Sequence, residues 1–257
     1  MLDRREIAPG AYALVSTTLE NEGFLAAFTE RSGGASSEPR FSSLNLSYSS
    51  GDDPTIVGRN RDLVTSALDA GPFAVGGQVH GSRLAAVGSG RAGSGYDGPQ
   101  GVIPETDGLH SKTARVSMAV ATADCVPVIL AGEGRICVVH AGWRGVAAGI
   151  VDRSIGLFSD VKSMRVAIGP AAGGCCYEVG EDVVAAVASG TAGQVVTTKE
   201  SNRPHLDLAA TIASTCRALG VSKVEVAGLC TIHEEDRFFS HRRQGPCGRQ
   251  FAIAMKR

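Results

Sequence analysis

The chain has 257 residues, of which 43% are hydrophobic and 20% are charged, and this is the composition of an ordinary globular protein. The formal net charge of −1 leaves no basic excess for binding nucleic acid. The N-terminus has no apolar core of signal-peptide length and no stretch approaches about 20 uninterrupted apolar residues, so we expect a cytoplasmic protein without a membrane partner.

The spacing of apolar residues predicts an alternation of strands and helices, most regular in the second half of the chain. This alternation favours mixed β-sheets covered by helices, and no break in composition divides the chain into domains. In chain order the predicted elements are a strand at 24–30, a loop at 31–47, a helix at 55–70, a strand at 73–81, a glycine-rich loop at 87–101, two apolar runs within 116–132 broken at 123–125, a strand at 135–141, a helix at 146–158, a strand at 164–170, helices at 181–189 and 206–220, a strand at 223–230 and a last edge strand at 249–257.

Three polar residues stand where apolar runs stop. They are His80 in "GQVHGS", Cys125 in "TADCVP" and His140 in "VVHAGWRG". Two imidazoles and a thiolate are good ligands for Zn²⁺, and three protein ligands leave a fourth position open for a water whose pKa falls towards about 7. Their dispersed spacing forms no local signature, so a buried thiol with two hydrogen-bonded histidines is an alternative interpretation.

The stretch "HAGWRG" also has features of an anion site. Gly142 and Gly145 would let backbone N–H groups approach a ligand, and a helix predicted from about Val146 would turn its positive end towards the same place. Arg144 adds a fork of donors suited to phosphate or carboxylate. The alternative for each arginine is a solvated surface charge.

Taken together, the motifs resemble the YfiH/laccase-domain family, once called multicopper polyphenol oxidoreductases and now described as purine nucleoside phosphorylases with adenosine deaminase activity. The resemblance runs in order over nearly the whole chain. The motifs that carry it are "QVHG", "TDGL", "TADCVPVIL", "VVHAGWRGVAAGIV", "IGPAAGGCCYEVG" and "FFSHRRQGPCGR".

This resemblance implies one α+β domain over residues 1–257, with mixed β-sheets packed between layers of helices. It implies zinc on His80, Cys125 and His140, with phosphorolysis of adenosine, inosine and S-methyl-5′-thioadenosine and hydrolytic deamination of adenosine. The implied partners are a small nucleoside and phosphate, not nucleic acid or a membrane, and the sequence carries no signal for an oligomeric state.

Both reactions require a proton to be moved, and phosphorolysis also requires phosphate to be placed. Asp124, beside Cys125, is the nearest candidate for acid/base catalysis and Asp107 is another, although either could instead orient a metal-bound histidine. The residues predicted to bind substrate or phosphate are Arg144, Arg31, Asn45, Gln78 and Arg242.

Two other functions share these residues. Two histidines and a cysteine also describe a blue-copper site, with Met118 as a conceivable axial ligand, so copper could replace zinc in a polyphenol oxidase. A multicopper cluster, however, needs more imidazoles than the six histidines here readily supply. The third interpretation is a metal-independent cysteine hydrolase, including a cell-wall precursor editing factor, in which Cys125 and a histidine form a nucleophile–base pair.

Overall fold

Fourteen strands and seven α-helices make up the computed structural model, counted over residues 1–198 and 203–257, which the structure describes. The strands are β1 (Leu2–Ala8), β2 (Ala11–Ser16), β3 (Phe24–Thr29), β4 (Phe73–Val75), β5 (Leu84–Ala86), β6 (Gly108–Ser111), β7 (Ser117–Thr122), β8 (Val126–Gly132), β9 (Arg135–Ala141), β10 (Arg165–Ile168), β11 (Val196–Thr198), β12 (His205–Asp207), β13 (Lys223–Val226) and β14 (Gln250–Lys256). The helices are α1 (Thr17–Glu20), α2 (Pro54–Ala67), α3 (Trp143–Ala147), α4 (Ile150–Ile155), α5 (Glu181–Ser189), α6 (Leu208–Ala218) and α7 (His241–Gln244).

Twelve of these strands form two six-stranded sheets. The first has the order β1-β2-β3-β14-β7-β4 and the second the order β13-β10-β8-β9-β6-β5, while β11 and β12 form a separate pair. The pairs β4–β7, β5–β6 and β10–β13 are parallel, whereas the other pairs in the two sheets are antiparallel. Both large sheets are therefore mixed.

The two sheets pack face to face, and helices cover their outer faces. Along β8, Ile129 and Ala131 join side chains of the first sheet in one core, while Val128 and Leu130 point the other way, towards α4 and α6. This alternation is the two-residue period of a strand buried on both faces. The outer face of the first sheet packs against Val64 of α2. The predicted α+β fold, with mixed sheets between layers of helices, is confirmed.

The helix predicted at 146–158 is wrong in its bounds. It begins three residues earlier, at Trp143, and is divided into α3 and α4. Gly149 separates them with a φ of +76°, a left-handed conformation that glycine adopts without steric cost. The early start matters for the site, because Arg144 lies within the first turn of α3.

The C-terminal strand is not the edge strand that the sequence pattern predicts. β14 lies between β3 and β7, to which it pairs antiparallel on both sides, and six of its seven residues are buried. Its alternating side chains enter the cores on both faces of the first sheet, as Ala252 and Ile253 show. The unbroken apolar run "FAIAM" is the signal of this central position.

No helix in the described ranges, 1–198 and 203–257, combines the length and the apolar character required to cross a membrane. The longest, α2, has 14 residues.

Candidate active site

A cavity of about 770 Å³ opens where β7 and β9 end and β8 begins, next to the loop that follows β4. Its volume is in the range that holds a nucleoside-sized ligand. The turn between β7 and β8 carries Asp124 and Cys125, the end of β9 carries His140, and the loop after β4 carries His80. The lining residues used below are Gln78, His80, Asp124, Cys125, His140, Gly142, Trp143, Arg144, Tyr177, His241 and Arg242.

The structure brings His80, Cys125 and His140 together. One ligand atom from each lies within 4.8 Å of the other two, and the two imidazole rings meet edge to face with centroids 4.8 Å apart. His140 is buried, Cys125 is half-buried and His80 is exposed, so the triad faces the cavity from one wall. Two nitrogens and one sulfur thus lie close together and face the cavity, and they match the donors of a zinc site with three protein ligands.

Both imidazoles also favour the anionic form of the thiol. Burial raises the pKa of Cys125, but hydrogen bonds and positive charge from His140 and His80 outweigh it and lower the pKa to about 6. Burial lowers the pKa of His140, whereas its bonds to Asp107 and Cys125 raise it to about 9. The thiolate that a metal requires is thus already stabilised.

Asp107 holds two of the three triad residues in position. Its carboxylate is fully buried and accepts the backbone N–H groups of Val79, His80 and Gly81 at 2.8–3.1 Å. The Nδ1 atom of His140 lies 2.8 Å from Oδ1 of Asp107, which leaves Nε2 for a ligand. Burial raises the pKa of Asp107, but the bonds from His140 and these N–H groups keep it low. Asp107 is not among the residues that line the cavity and lies behind the histidines, a position that favours the other role considered for it, the orientation of a histidine.

We therefore expect Asp107→Asn to weaken zinc binding by about 10- to 100-fold, the usual effect of removing a carboxylate that orients a metal-bound histidine. The amide cannot accept from His140 and three backbone N–H groups together. Competitive titration against a zinc chelator measures the change, and Asp182→Asn, an exposed aspartate on α5, is the matched control. Unchanged zinc affinity in Asp107→Asn would contradict the assignment.

Gly142 makes room for the triad. A Cβ atom at this position would lie 3.1 Å from Sγ of Cys125 and 3.1 Å from Cδ2 of His80. The nearest atom to a Cβ on Gly145 is the carbonyl oxygen of Gly81, at 2.8 Å. Close packing therefore favours glycine at both positions, against the candidate metal ligands at Gly142 and against the backbone of Gly81 at Gly145.

From this crowding we predict that Gly142→Ala lowers zinc affinity by about tenfold, because overpacking costs roughly 1–3 kcal/mol. Gly90→Ala is the control, since an added Cβ there meets nothing within 4 Å. Isothermal titration of both variants with zinc compares them directly. Equal affinities would show that the triad has more room than the structure indicates.

Asp124 is the one carboxylate among the described lining residues, and its backbone is held in a left-handed conformation with a φ of +97°. Oδ1 accepts the hydroxyl of Thr231 at 2.7 Å, and Oδ2 accepts the backbone N–H of Arg242 at 2.7 Å. The carbonyl oxygen of Asp124 accepts the N–H of Ala172 at 2.8 Å. These bonds fix the turn that presents Cys125.

Of the four arginines that line the cavity, two are exposed and give it a cationic wall. Arg144 and Arg242 are both exposed and both line the cavity. Arg144 lies over the ring of half-buried Trp143, 4.3 Å from the centroid, and Arg242 lies 5.1 Å from the centroid of Tyr177. The backbone N–H of Val146 donates to the carbonyl oxygen of Gly142 as the first hydrogen bond within α3, so this N–H group is not available to an anion.

The other predicted substrate residues lie in different surroundings. Gln78 lines the cavity, but its amide pairs with both backbone groups of Ala121 at 2.8 Å. Arg31 lines a separate depression, where it donates to the carbonyl oxygens of Ser42 and Glu235. Asn45 is fully buried and bonds within its own loop and to the N–H of Arg249. The structure does not bring Arg31 or Asn45 to the cavity, because backbone groups of neighbouring loops take up their side chains.

Sequence reasoning did not single out Tyr177 as a site residue. Tyr177 follows the cysteine pair of "CCYEVG", is half-buried and lines the cavity beside Arg242. Burial and the neighbouring Cys125 raise its pKa, so the hydroxyl stays protonated. An aromatic residue in a glycine-rich turn is the signal that would have found it.

A blue-copper arrangement with Met118 as axial ligand does not form. Met118 is fully buried in the core between the sheets and does not line the cavity. Of the six histidines in the chain, His80, His140 and His241 are the ones on the described cavity wall. Three imidazoles are too few for the further copper cluster that a multicopper oxidase must fill.

The model of a protein family described as "Multi-copper polyphenol oxidoreductase laccase" matches residues 25–257. The chain belongs to this laccase-like YfiH family, as the motifs around the three metal-ligand candidates indicated.

Relatives in this family carry a different name. The chain is 37% identical over 230 residues to a purine nucleoside phosphorylase of Mycobacterium tuberculosis, with 86% of this chain and 87% of the relative covered. It is 34% identical over 258 residues to the purine nucleoside phosphorylase YlmD of Geobacillus stearothermophilus, with 91% of each chain covered.

Solved structures share the fold over the full length. The crystal structure of Geobacillus stearothermophilus YlmD superposes with a TM-score of 0.92 and 33% identity, covering 100% of both chains. That of YfiH from Bacillus licheniformis gives a TM-score of 0.90 and 30% identity, covering 99% of both chains.

Proposed function

We propose that the protein is a zinc-dependent purine nucleoside phosphorylase that acts on adenosine, inosine and S-methyl-5′-thioadenosine, and that also deaminates adenosine. One observation carries the proposal. A single cavity of nucleoside size holds a His–Cys–His triad on one wall and two exposed arginines, Arg144 and Arg242, beside it. The names of the relatives point to the same reaction.

The donor set of His80, Cys125 and His140 fits zinc, because borderline ions accept both imidazole and thiolate. When bound, zinc supplies Lewis-acid activation at the cavity wall. Neighbouring side chains prepare the ligands for the metal: Asp107 fixes the tautomer of His140, and the two imidazoles keep Cys125 ionised.

Phosphorolysis needs inorganic phosphate next to the ribose. Arg144 and Arg242 have exposed guanidinium groups on the cavity, and a guanidinium binds phosphate through two parallel hydrogen bonds. Both carry positive charge towards Tyr177, whose pKa each of them lowers in part. We assign phosphate binding to Arg144, with Arg242 as its partner.

Proton transfer is assigned to Asp124. Among the described lining residues it is the one carboxylate, and it stands next to a metal-ligand candidate. Each of its oxygens accepts one hydrogen bond from the protein and has a lone pair left for a substrate group. We expect Asp124 to hold or return a proton at the purine, while Asp107 stays ionised behind the histidines.

A cysteine hydrolase would use the same ion pair of Cys125 and His140. A nucleophile needs one base, whereas here two imidazoles contact a single sulfur, and this favours a metal.

Incubation with adenosine, with and without phosphate, tests the proposal, with products separated by chromatography. We expect adenine, hypoxanthine and ribose 1-phosphate only when phosphate is present. Inosine, the product of deamination, should accumulate without phosphate and be partly consumed with it. If inosine were the only product, the protein would be a deaminase and not a phosphorylase. If no product formed, the assignment to nucleosides would be wrong. A metal-free sample that loses its activity on thiol alkylation would favour the hydrolase.

A further inference from the structure

A second group of cysteines lies outside the cavity. Cys175 and Cys176 stand in the turn after β10, and Cys230 stands in the segment after β13. The Sγ atoms of all three lie within 4.8 Å of one another. None of the three lines the cavity, so this cluster is separate from the triad around Cys125.

The sheet itself brings the three sulfurs together. β10 and β13 are neighbouring parallel strands, so the segments that follow them leave the sheet at the same edge. A bridge between Ala171 and Cys230 continues this pairing past the strand ends, and the N–H of Thr231 donates to Ala171 at 2.9 Å. The cluster is thus held by backbone hydrogen bonds and not by a chance approach of loops.

Backbone donors converge on Cys230. The N–H of Gly173 donates to its sulfur at 3.3 Å. Burial raises the pKa of Cys230, but this bond and those from the N–H groups of His233 and Ile232 lower it overall. Burial, together with the neighbouring sulfurs of Cys176 and Cys230, raises the pKa of Cys175 to about 12. The bond from Gly173 favours the thiolate form of Cys230, and the thiolate is the form of cysteine that binds a metal.

We propose that Cys175, Cys176 and Cys230 form a second metal site, which binds a soft d¹⁰ cation, Cu(I) or Zn(II). Ligand sets made only of sulfur select such ions over hard cations. Zn–S bonds of about 2.3 Å in a tetrahedral set place sulfurs roughly 3.8 Å apart, so the cluster closes on the ion with small side-chain movements. Binding releases the proton of each thiol that coordinates, and exposed Cys175 provides the entry.

A cation bound in this cluster would stabilise the position of residues on the cavity wall. Cys176 precedes Tyr177, which lines the cavity, and Cys230 precedes Thr231, whose hydroxyl donates to Asp124 at 2.7 Å. Two ligands of the second site are therefore next in sequence to residues of the proposed active site or its support, but the two sites share no ligand. The inference does not depend on which reaction the cavity performs.

Metal titration of the reduced full chain tests the second site. All seven thiols are first counted in the unfolded protein to establish reduction. The folded protein is then titrated without oxygen in two arms, with Cu(I) against a chromophoric Cu(I) chelator and with Zn(II) against a chromophoric zinc chelator. We expect the wild type to bind two equivalents in at least one arm, and that arm identifies the ion.

Four variants locate the second equivalent. Cys175→Ser and Cys230→Ser should each bind one equivalent fewer than the wild type, while Cys125→Ser should lose the other equivalent and keep this one. Cys216→Ser, a buried cysteine of α6 in neither cluster, should bind as the wild type does. Circular dichroism checks folding, and because Cys175 is exposed its serine variant keeps the test valid if Cys230→Ser does not fold. Only one equivalent in both arms, or a second equivalent that persists in Cys175→Ser, would overturn the site.

Discussion

Replacing Cys125 with alanine should abolish zinc binding at the triad and reduce phosphorolysis by at least about 10³-fold. The thiolate is the one anionic ligand of the set, and the two histidines left behind do not hold zinc in the cavity at ordinary concentrations. Lewis-acid activation is worth several kcal/mol, and each 1.36 kcal/mol is tenfold in rate. Inductively coupled plasma mass spectrometry and a product assay on the same sample measure both effects.

The fold of Cys125→Ala should persist. Cys125 is half-buried on the cavity wall, whereas the hydrophobic cores lie between the two sheets and on their outer faces. We therefore expect the free energy of unfolding of the metal-free protein to change by no more than about 1–2 kcal/mol. Cys216→Ala, a substitution at a core cysteine within α6, is the control that should keep both metal and activity. Global unfolding of Cys125→Ala would show that the site is structural, and full activity would exclude the triad from catalysis.

Replacing Arg144 with alanine should separate the two reactions. Phosphorolysis should fall by about 10- to 150-fold in kcat/KM, with a raised KM for phosphate, since a charge-assisted contact of roughly 1.5–3 kcal/mol is lost. Zinc content should be unchanged, because Arg144 lies over Trp143 and is not among the triad residues. Deamination of adenosine uses water instead of phosphate, so we expect it to retain most of its rate.

Steady-state kinetics at varied phosphate concentration measure this separation. Arg91→Ala is the matched control, because Arg91 is an exposed arginine that does not itself line the cavity. If both activities of Arg144→Ala fell equally, Arg144 would have a structural role, and the phosphate would bind elsewhere. Unchanged dependence on phosphate would assign the anion to Arg242 or another residue.

Local patterns in the sequence were enough to predict most of the elements, but not how they pair. The apolar runs at 116–132 correspond to β7 and β8, broken at the turn that carries Cys125. The position of β14 depends on pairing with β3 over more than 200 residues of chain, and a local period carries no information on this partner. The break at Gly149 was missed because one glycine in a helical pattern is compatible with either outcome.

The triad could be predicted because each of its residues ends an apolar run. His140 continues the face of β9 that Ile136 and Val138 direct between the sheets, so strand geometry alone aims it at the cavity mouth. The sequence left Asp107 with two possible roles, acid/base catalysis or the orientation of a histidine, because the choice depends on a loop folding over a buried carboxylate. The sequence could not show that Arg31 lies outside this cavity, because a charged residue beside glycines has the same local pattern whether it contacts a ligand or a carbonyl oxygen.

The most direct test of the central claim uses inosine, which the deamination reaction cannot consume. The protein is freed of metal with a chelator, titrated with zinc or with copper, and incubated with inosine and phosphate. We predict that hypoxanthine and ribose 1-phosphate form in equal amounts, that the rate rises with the zinc bound at the triad, and that copper does not replace zinc. Equal rates without metal, or no cleavage of inosine at any zinc content, would contradict a zinc-dependent phosphorylase.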